Sequence, residues 1–552
     1  MKATIKFACV LAVLLCNTAC EKNFLDRAPS VNLTENDIFS NPVLASQFAD
    51  NAYNHLVDDY GRFNVHRGIT GQASDEAVTG NNEVSIRTLT NGNYHDHYER
   101  GGSSLNDISD VWSRSYAGIR VTNRMLEKIA DVPWTAVQSP SRIKGEMHFI
   151  RAFLYFELIK RFGGVPIIER TYGVNENIDL PRNTYDECVA FILADLTQAE
   201  SLLPQDYNNS NYGRATIGAA KALRSRVLLY AASKLNNESG DAVKWKAAAD
   251  AAKAVMDMNL YSLQPTYADI LNVPTSPEYI MIKVRGPRPI DGFMLDFAMS
   301  PGSGGAQGQL NPTQNHVDLY EMKTTGKPIT DPTSGYNPQQ PYANRDPRLA
   351  ANILYNDAPW QGRRIEMWSG GKDYLAGNVT YTATRYYSRK MWPEPYVRNV
   401  AGTALLNFVF FRYAEILLNY AEAQNEAVGP DASVYAAINQ IRARQSVGMP
   451  PLPANLNKDE MRKRIRNERA VELAFEDHRW YDIMRWKAGP EIVAQPMYGM
   501  NVVKNANGTF TYNPVLLPAN MQKVYLDYMH RYPIPRNEIY KSKGILTQNP
   551  GW

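Results

Sequence analysis

NKDEMRKRIRNERAVELAFEDHRWYDIMRWKAG, residues 457–489, decides how the chain is read. At about 100° per residue, Met461, Ile465, Val471 and Phe475 fall within one arc of roughly 120°, the width of a core-facing helix stripe. The spacing predicts a helix across this stretch, stopped by Gly489-Pro490. Glu468 and Glu472 lie in the same arc, one turn apart, where an unpaired carboxylate is costly to desolvate. Cations are near in sequence: Arg464 stands four residues before Glu468, Arg469 follows it, and Arg479 and Arg485 come next in HRWYDIMRW. Two such glutamates could instead be the acid and nucleophile of a glycosidase, but those pairs face each other across a cleft from different elements. Neighbours on one helix read as structural ion pairs that lock helices together.

IRNERAVELAFEDHRWYDIMRW resembles the C-terminal helix of the SusD/RagB family, and MHFIRAFLYFELIKRFGGVPI, DPRLAANI and YPIPRNEI are similar to other stretches that recur in it. The likeness runs nearly the full length of the chain. It implies a scaffold of tetratricopeptide-like helix pairs. It also implies a lipoprotein on the outer face of the Bacteroidetes outer membrane, capping a SusC-like TonB-dependent transporter and capturing nutrients, most often glycans. The RagB half of the family name implies peptides or glycopeptides as the alternative ligand.

The N-terminus agrees with export. Lys2 and Lys6, an apolar run from Phe7 to Leu15, and Thr18-Ala19 before Cys20 make a secretory signal over 1–19 that is too short to span a membrane. The region resembles a bacterial lipobox, with Asn17 where such motifs usually carry Leu, and lipid on Cys20 is the expected anchor. Cys9 and Cys16 leave with the signal, so Cys188 remains as a free thiol, with no partner for a disulfide or a cysteine metal site.

Composition excludes other classes. The 59 Lys+Arg against 56 Asp+Glu give +3, and losing Lys2 and Lys6 leaves +1, which gives no footprint for nucleic acid. With 44% hydrophobic residues the chain can bury a sizeable core. No nucleophile elbow, phosphate loop, zinc motif or convincing carboxylate pair is present, so neither an enzyme nor a cofactor is expected.

The fold class expected is mainly α: a tetratricopeptide-like helical-repeat scaffold with a large irregular region carrying a few short strands. The tether fills 20–41 and helical pairs fill 42–271, including SRIKGEMHFIRAFLYFELIKRFGGVP and the alanine-rich RATIGAAKALRSRVLLYAASKLN and DAVKWKAAADAAKAVMDM. Residues 272–405 turn to Gly, Pro, Asn, Tyr and Trp, with YIMIKV (279–284) as a strand. Helices return over 406–490, and 491–552 form an extended C-terminal strap, the whole being one unit.

Long loops on a helical scaffold are where binding groups concentrate. The chain holds 33 Tyr, 9 Trp and 17 Phe, more amphipathic aromatic surface than a core requires. Aromatic rings stack on sugar faces while Asn, Asp and Arg hydrogen-bond hydroxyls. The ligand-binding candidates are Asn93, Tyr94, Tyr98 and Arg100 from a first loop, Phe293 after the Asp291-Gly292 turn, and Trp360 and Trp368 from a third. Each aromatic could instead anchor its own loop on the helices. His95 and His97 could pair on a metal, but no third ligand is identifiable and none is expected.

Overall fold

The computed structural model describes residues 33–58, 68–80, 85–96, 107–173, 175–207, 211–283, 308–378, 380–392, 394 and 405–552. Cys20 and the signal at 1–19 lie outside them.

Helices begin where short polar side chains can satisfy the first free backbone N–H groups. After α1 (Glu35–Phe39) and α2 (Pro42–Asn51) come α3 (Asp107–Lys128), α4 (Pro140–Phe162), α5 (Tyr185–Leu202), α6 (Ile217–Ala232) and α7 (Ala242–Met256). Ser139, Thr184, Thr216 and Asp241 cap the last four, Thr184 reciprocally with Glu187. Two short helices follow, α8 (Gln314–Asp318) and α9 (Pro347–Asn352), then α10 (Tyr413–Val428), α11 (Ala432–Arg442), α12 (Lys458–Glu472), α13 (Arg479–Trp486), α14 (Gly489–Ile492) and α15 (Arg536–Lys541). The long helices pack side by side from α3 to α7, and α7 continues onto α10, which also touches α6, α11 and α12. Buried alanines at 219, 220, 222, 248, 249 and 252 let α6 and α7 approach closely. The N-terminal and C-terminal helices therefore share one array and one core.

Strands are few. β1 (Tyr279–Lys283) pairs antiparallel with β2 (Phe408–Arg412), so the start of the irregular region is tied to the strand that leads into α10. The expected C-terminal strap begins differently, as a hairpin of β3 (Tyr498–Lys504) and β4 (Phe510–Leu516) turning at Gly508, whose φ of 82° suits glycine. After it the chain passes through two short 3-10 turns (Ala519–Met521 and Asp527–His530) and α15, and beyond them Asn549 donates to the Phe162 carbonyl at the end of α4 and to the Tyr532 carbonyl.

The stretch 457–489 is not one helix. It is α12 and α13 separated by residues 473–478, with Phe475 and Asp477 at φ of 62° and 63°. The break holds because side chains from elsewhere replace helical hydrogen bonds. The Glu472 carbonyl accepts from Tyr267 Oη (2.8 Å), Arg412 Nη2 (2.8 Å) and Lys390 Nζ (3.3 Å), and the Phe475 N–H donates to Glu76 Oε1 (3.1 Å). Nor does Gly489-Pro490 stop the helix: α13 already ends at Trp486 with Lys487 left-handed, and Pro490 sits in the first turn of α14.

The two glutamates are buried as expected, but their partners are distant in sequence. Glu472 accepts from Arg412 (2.8 Å), Arg444 (2.5 Å) and Arg348 (3.0 Å), and Glu468 from Arg348 (2.5 Å) and Arg442 (3.0 Å). The nearby arginines serve other acids. Arg464 pairs with Glu321, Arg469 with Asp482, Arg479 with Asp75, and Arg485 with both Glu422 and Asp482. Side-chain reach explains the difference. Glu472 ends α12 and turns into the core, where the ends of β2 and α11 already bring guanidiniums, while Arg464 projects to the flank. Burial alone would raise the Glu472 carboxyl, but Arg444, Arg412 and Arg348 together hold it well below the ordinary carboxylate value. Burial opposes ionisation of Glu422 too, and Arg485 and Arg469 hold that group down at about 2.

Removing one member of a buried ionic cluster leaves its partners charged and dry. Glu472→Gln is expected to lower stability by about 3–5 kcal/mol, read as a lower urea midpoint. Lys246→Ala, which breaks an exposed pair with Asp250, leaves the midpoint in place. Equal midpoints for Glu472→Gln and the unmodified protein contradict this.

Candidate functional site: the loop face

The first predicted loop is described up to Asp96, and its described part is bound to the C-terminal tail. The Val524 N–H donates to the Thr90 carbonyl (2.7 Å), Arg87 reaches the Asn520 carbonyl, and Asp96 pairs with Arg536 at the start of α15 (2.6 Å). Tyr94 is the wedge of this junction. Its ring meets Tyr532 edge-on at 5.5 Å and Trp552 at 4.8 Å, and it is buried. The Tyr94 hydroxyl has no hydrogen-bond partner among the described residues, and burial holds it well above the ordinary tyrosine value. Tyr94 thus anchors the loop from inside and does not offer a stacking face. Asn93, next to it, is exposed at the tip, its N–H held by the Asn91 side chain (3.0 Å). His97, Tyr98 and Arg100 lie outside the described residues, as does Phe293 of the second loop.

The third loop turns Trp360 into the core, against the reading of it as a binding group, and leaves Trp368 half-buried. Trp360, in the two-residue strand Pro359–Trp360, is 2% exposed, packed edge-on against Trp392 at 5.0 Å with the Arg389 guanidinium 4.9 Å from its ring centre. Trp368 is half-buried. It packs on Phe510 of β4 at 5.2 Å, with the Lys504 ammonium 4.5 Å from its ring centre. Both hold loops to the scaffold, because a large ring removes more apolar surface from water there than in an exposed turn. Tyr94, Trp360 and Trp368 are therefore not brought together on one surface.

The side chains that do converge were not picked out from the sequence. Trp112 and Tyr116 on α3, and Tyr172 after α4, line a cleft of about 520 Å³ whose third wall is the α15 region. Helical spacing marks DVWSRSY only as a helix, and nothing in the sequence relates it to the tail some 430 residues on. Among the described residues no cluster of His, Cys, Asp and Glu could hold a metal ion, and no helix is long and apolar enough to cross a membrane.

Comparison with known proteins fits this architecture. The SusD family model matches residues 282–552, and a second, described as starch-binding associating with outer membrane, matches residues 23–229. The chain belongs to the SusD family. A SusD-like protein of Formosa agariphila is 24% identical over 460 residues, covering 81% of each chain. A SusD-like protein of Bacteroides fragilis superposes with a TM-score of 0.78 at 27% identity, over 95% of this chain and 100% of that one. A SusD-like carbohydrate binding protein of the same species superposes at 0.75 with 23% identity, over 92% and 99%. SusD family proteins are associated with the Bacteroidetes outer membrane.

If Trp360 is structural and Asn93 is not, their truncations separate. Trp360→Ala is expected to cost about 3–5 kcal/mol of stability, seen in thermal or urea unfolding, and Asn93→Ala none. A Trp360→Ala protein that melts with the unmodified one would place that ring outside the core.

Proposed function

We propose that this SusD family member is a glycan-binding protein of the cell surface. It captures oligosaccharide or polysaccharide and hands it to a SusC-like TonB-dependent transporter in the outer membrane. The observation that carries the reading is the reach of the family match, with one model over 23–229 and another over 282–552. The description of the second model as starch-binding, and of a B. fragilis protein of the same fold as carbohydrate binding, supports glycan as the ligand class.

Lipid on Cys20 would hold the chain to the membrane with its loops outward. Asn93, Tyr98, Arg100 and Phe293 are the proposed loop contacts, with the amide and guanidinium hydrogen-bonding hydroxyls and the rings meeting sugar faces. The division of labour supports this: the scaffold is a base fixed by buried ion pairs, so little of it must be ordered when a ligand arrives. Few ligand atoms are buried by loop tips, which gives modest affinity and permits release to a transporter. Binding without turnover is the activity proposed.

The test is a glycan array with calorimetry on the hits, using protein from residue 21 onward and its Asn93→Ala and Tyr98→Ala variants. Binding of a glycan that either variant weakens, with no product formed, is expected. Binding to peptides and to no glycan would overturn the reading.

A further inference from the structure

The cleft of about 520 Å³ falls in the range of small-molecule sites, about 300–1,000 Å³, yet its aromatic rings are not open to a ligand. Trp112 is 4% exposed, packed on Tyr116 and on Phe162 with ring centres 5.1 Å away in each case. The Arg170 guanidinium lies over the Tyr172 ring, 3.9 Å from its centre. The apolar surface that remains is aliphatic: Ile168 and Leu180 are half-buried and Ile178 is exposed. Charges of both signs stand around it. Arg170 pairs with Glu176 and Lys541 with Glu538 (2.6 Å), while Asp179 and Lys543 have no side-chain partner among the described residues. Arg120 has N–H groups beyond the one it gives to the Tyr172 carbonyl (3.1 Å).

The backbone is open on the same wall. Residues 177–180 belong to no helix or strand, and their N–H and C=O groups make no hydrogen bond among the described residues. Leu180 precedes Pro181, which favours extended backbone there. Open backbone, aliphatic side chains and mixed charges fit an extended peptide that carries apolar residues next to an acid and a base. A sugar has no free ring to stack on here, an acyl chain would meet the charges, and a phosphate would meet Asp179.

Such a peptide is present in the chain itself, and it joins the scaffold at the mouth of the cleft. The described chain starts at Leu33, and Glu35, two residues on, accepts from Arg124 Nε of α3 (3.1 Å). The same guanidinium donates to Oγ1 of Thr171 (3.3 Å), a lining residue, and Arg124 stands one turn after Arg120 on α3. Before Leu33 runs CEKNFLDRAPSVN, residues 20–32, outside the described residues. In it the apolar pair Phe24-Leu25 is followed at once by Asp26 and Arg27. Leu25 lies eight residues before Leu33, a reach of about 26 Å when extended, enough to enter the cleft from its mouth.

We propose that this tether docks in the cleft, with Phe24 and Leu25 on Ile168, Ile178 and Leu180, Asp26 toward Arg120 and Lys543, and Arg27 toward Asp179. The proposal stands apart from the glycan reading and does not rest on it. Docking shortens the free leash between Cys20 and the scaffold from thirteen residues to four, which keeps the scaffold close to whatever Cys20 is fastened to.

The test is trypsin cleavage after Arg27 in the protein from residue 21 onward and in its Leu25→Asp, Ile178→Asp and Val243→Asp variants. Each rate is divided by that of the free 21–32 peptide of the same sequence, which removes any effect on the protease itself. Ile178 is 48% exposed and Val243, on α7, is 74% exposed, so neither change disturbs the core. Carbodiimide coupling of carboxylates to amines in contact is mapped in parallel by mass spectrometry. The expected result is cleavage at least about tenfold slower in the unmodified protein and Val243→Asp than in Leu25→Asp and Ile178→Asp, from the lost burial of one aliphatic side chain. Coupling of Asp26 to Lys543 within one chain is expected with it. Equal rates in the unmodified protein and Ile178→Asp, or coupling of Asp26 only to lysines outside the cleft, overturn the docking. An Asp26 to Lys543 link found only between two chains makes a second copy the source of the peptide and overturns docking by the chain's own tether.

Discussion

A carboxylate taken out of water must find cations, and Glu468 and Glu472 find theirs in Arg348, Arg412, Arg442 and Arg444. Those four arginines come from α9, the end of β2, and the end of α11 with the turn after it. One desolvated cluster therefore joins the irregular region, the strand pair and the C-terminal helices. The same logic extends outward. Asp75 holds Arg479 at 2.8 Å and Glu76 caps the Phe475 N–H, which fastens the segment before the first loop to the break between α12 and α13. Such clusters add little net stability over a well-packed apolar core, but their geometry is hard to satisfy any other way. Register is what they supply here: a fixed base on which irregular chain can stand.

That base explains why so much of the aromatic content is structural. Loops this long need anchors against the entropy of an unrestrained chain. Tyr94, Trp360 and Trp368 serve as those anchors, turned inward or sideways onto the tail and the hairpin. The positions between anchors, such as Asn93, stay open to solvent.

The helices were legible because their information is local: periodicity, caps such as Thr184, and glycine at the end of α4. The strand Tyr279–Lys283 was legible for the same reason, and its partner β2 was not, since pairing across some 130 residues leaves no local mark. The burial of Glu468 and Glu472 could be read from one helical wheel, whereas their partners could not. Arg464, one turn before Glu468 on the same face, reaches Glu321 instead, Arg469 turns to Asp482, and the true partners come from as far back as Arg348. The break at 473–478 is hidden by the same cause, because the groups that replace its helical bonds belong to Tyr267, Lys390, Arg412 and Glu76. Composition flags an aromatic loop without saying whether a ring faces solvent or core, and so Trp360 read as a binding group and is an anchor.

The central claim is that the buried cluster makes one rigid base out of segments far apart in sequence. Native-state hydrogen exchange followed by mass spectrometry tests it most directly. The account predicts that amides in residues 70–78, 346–352, 408–416, 438–446 and 465–485 exchange together, in the slowest class, and open as one unit. Opening of 70–78 or 346–352 at a much lower free energy than 465–485 would contradict it.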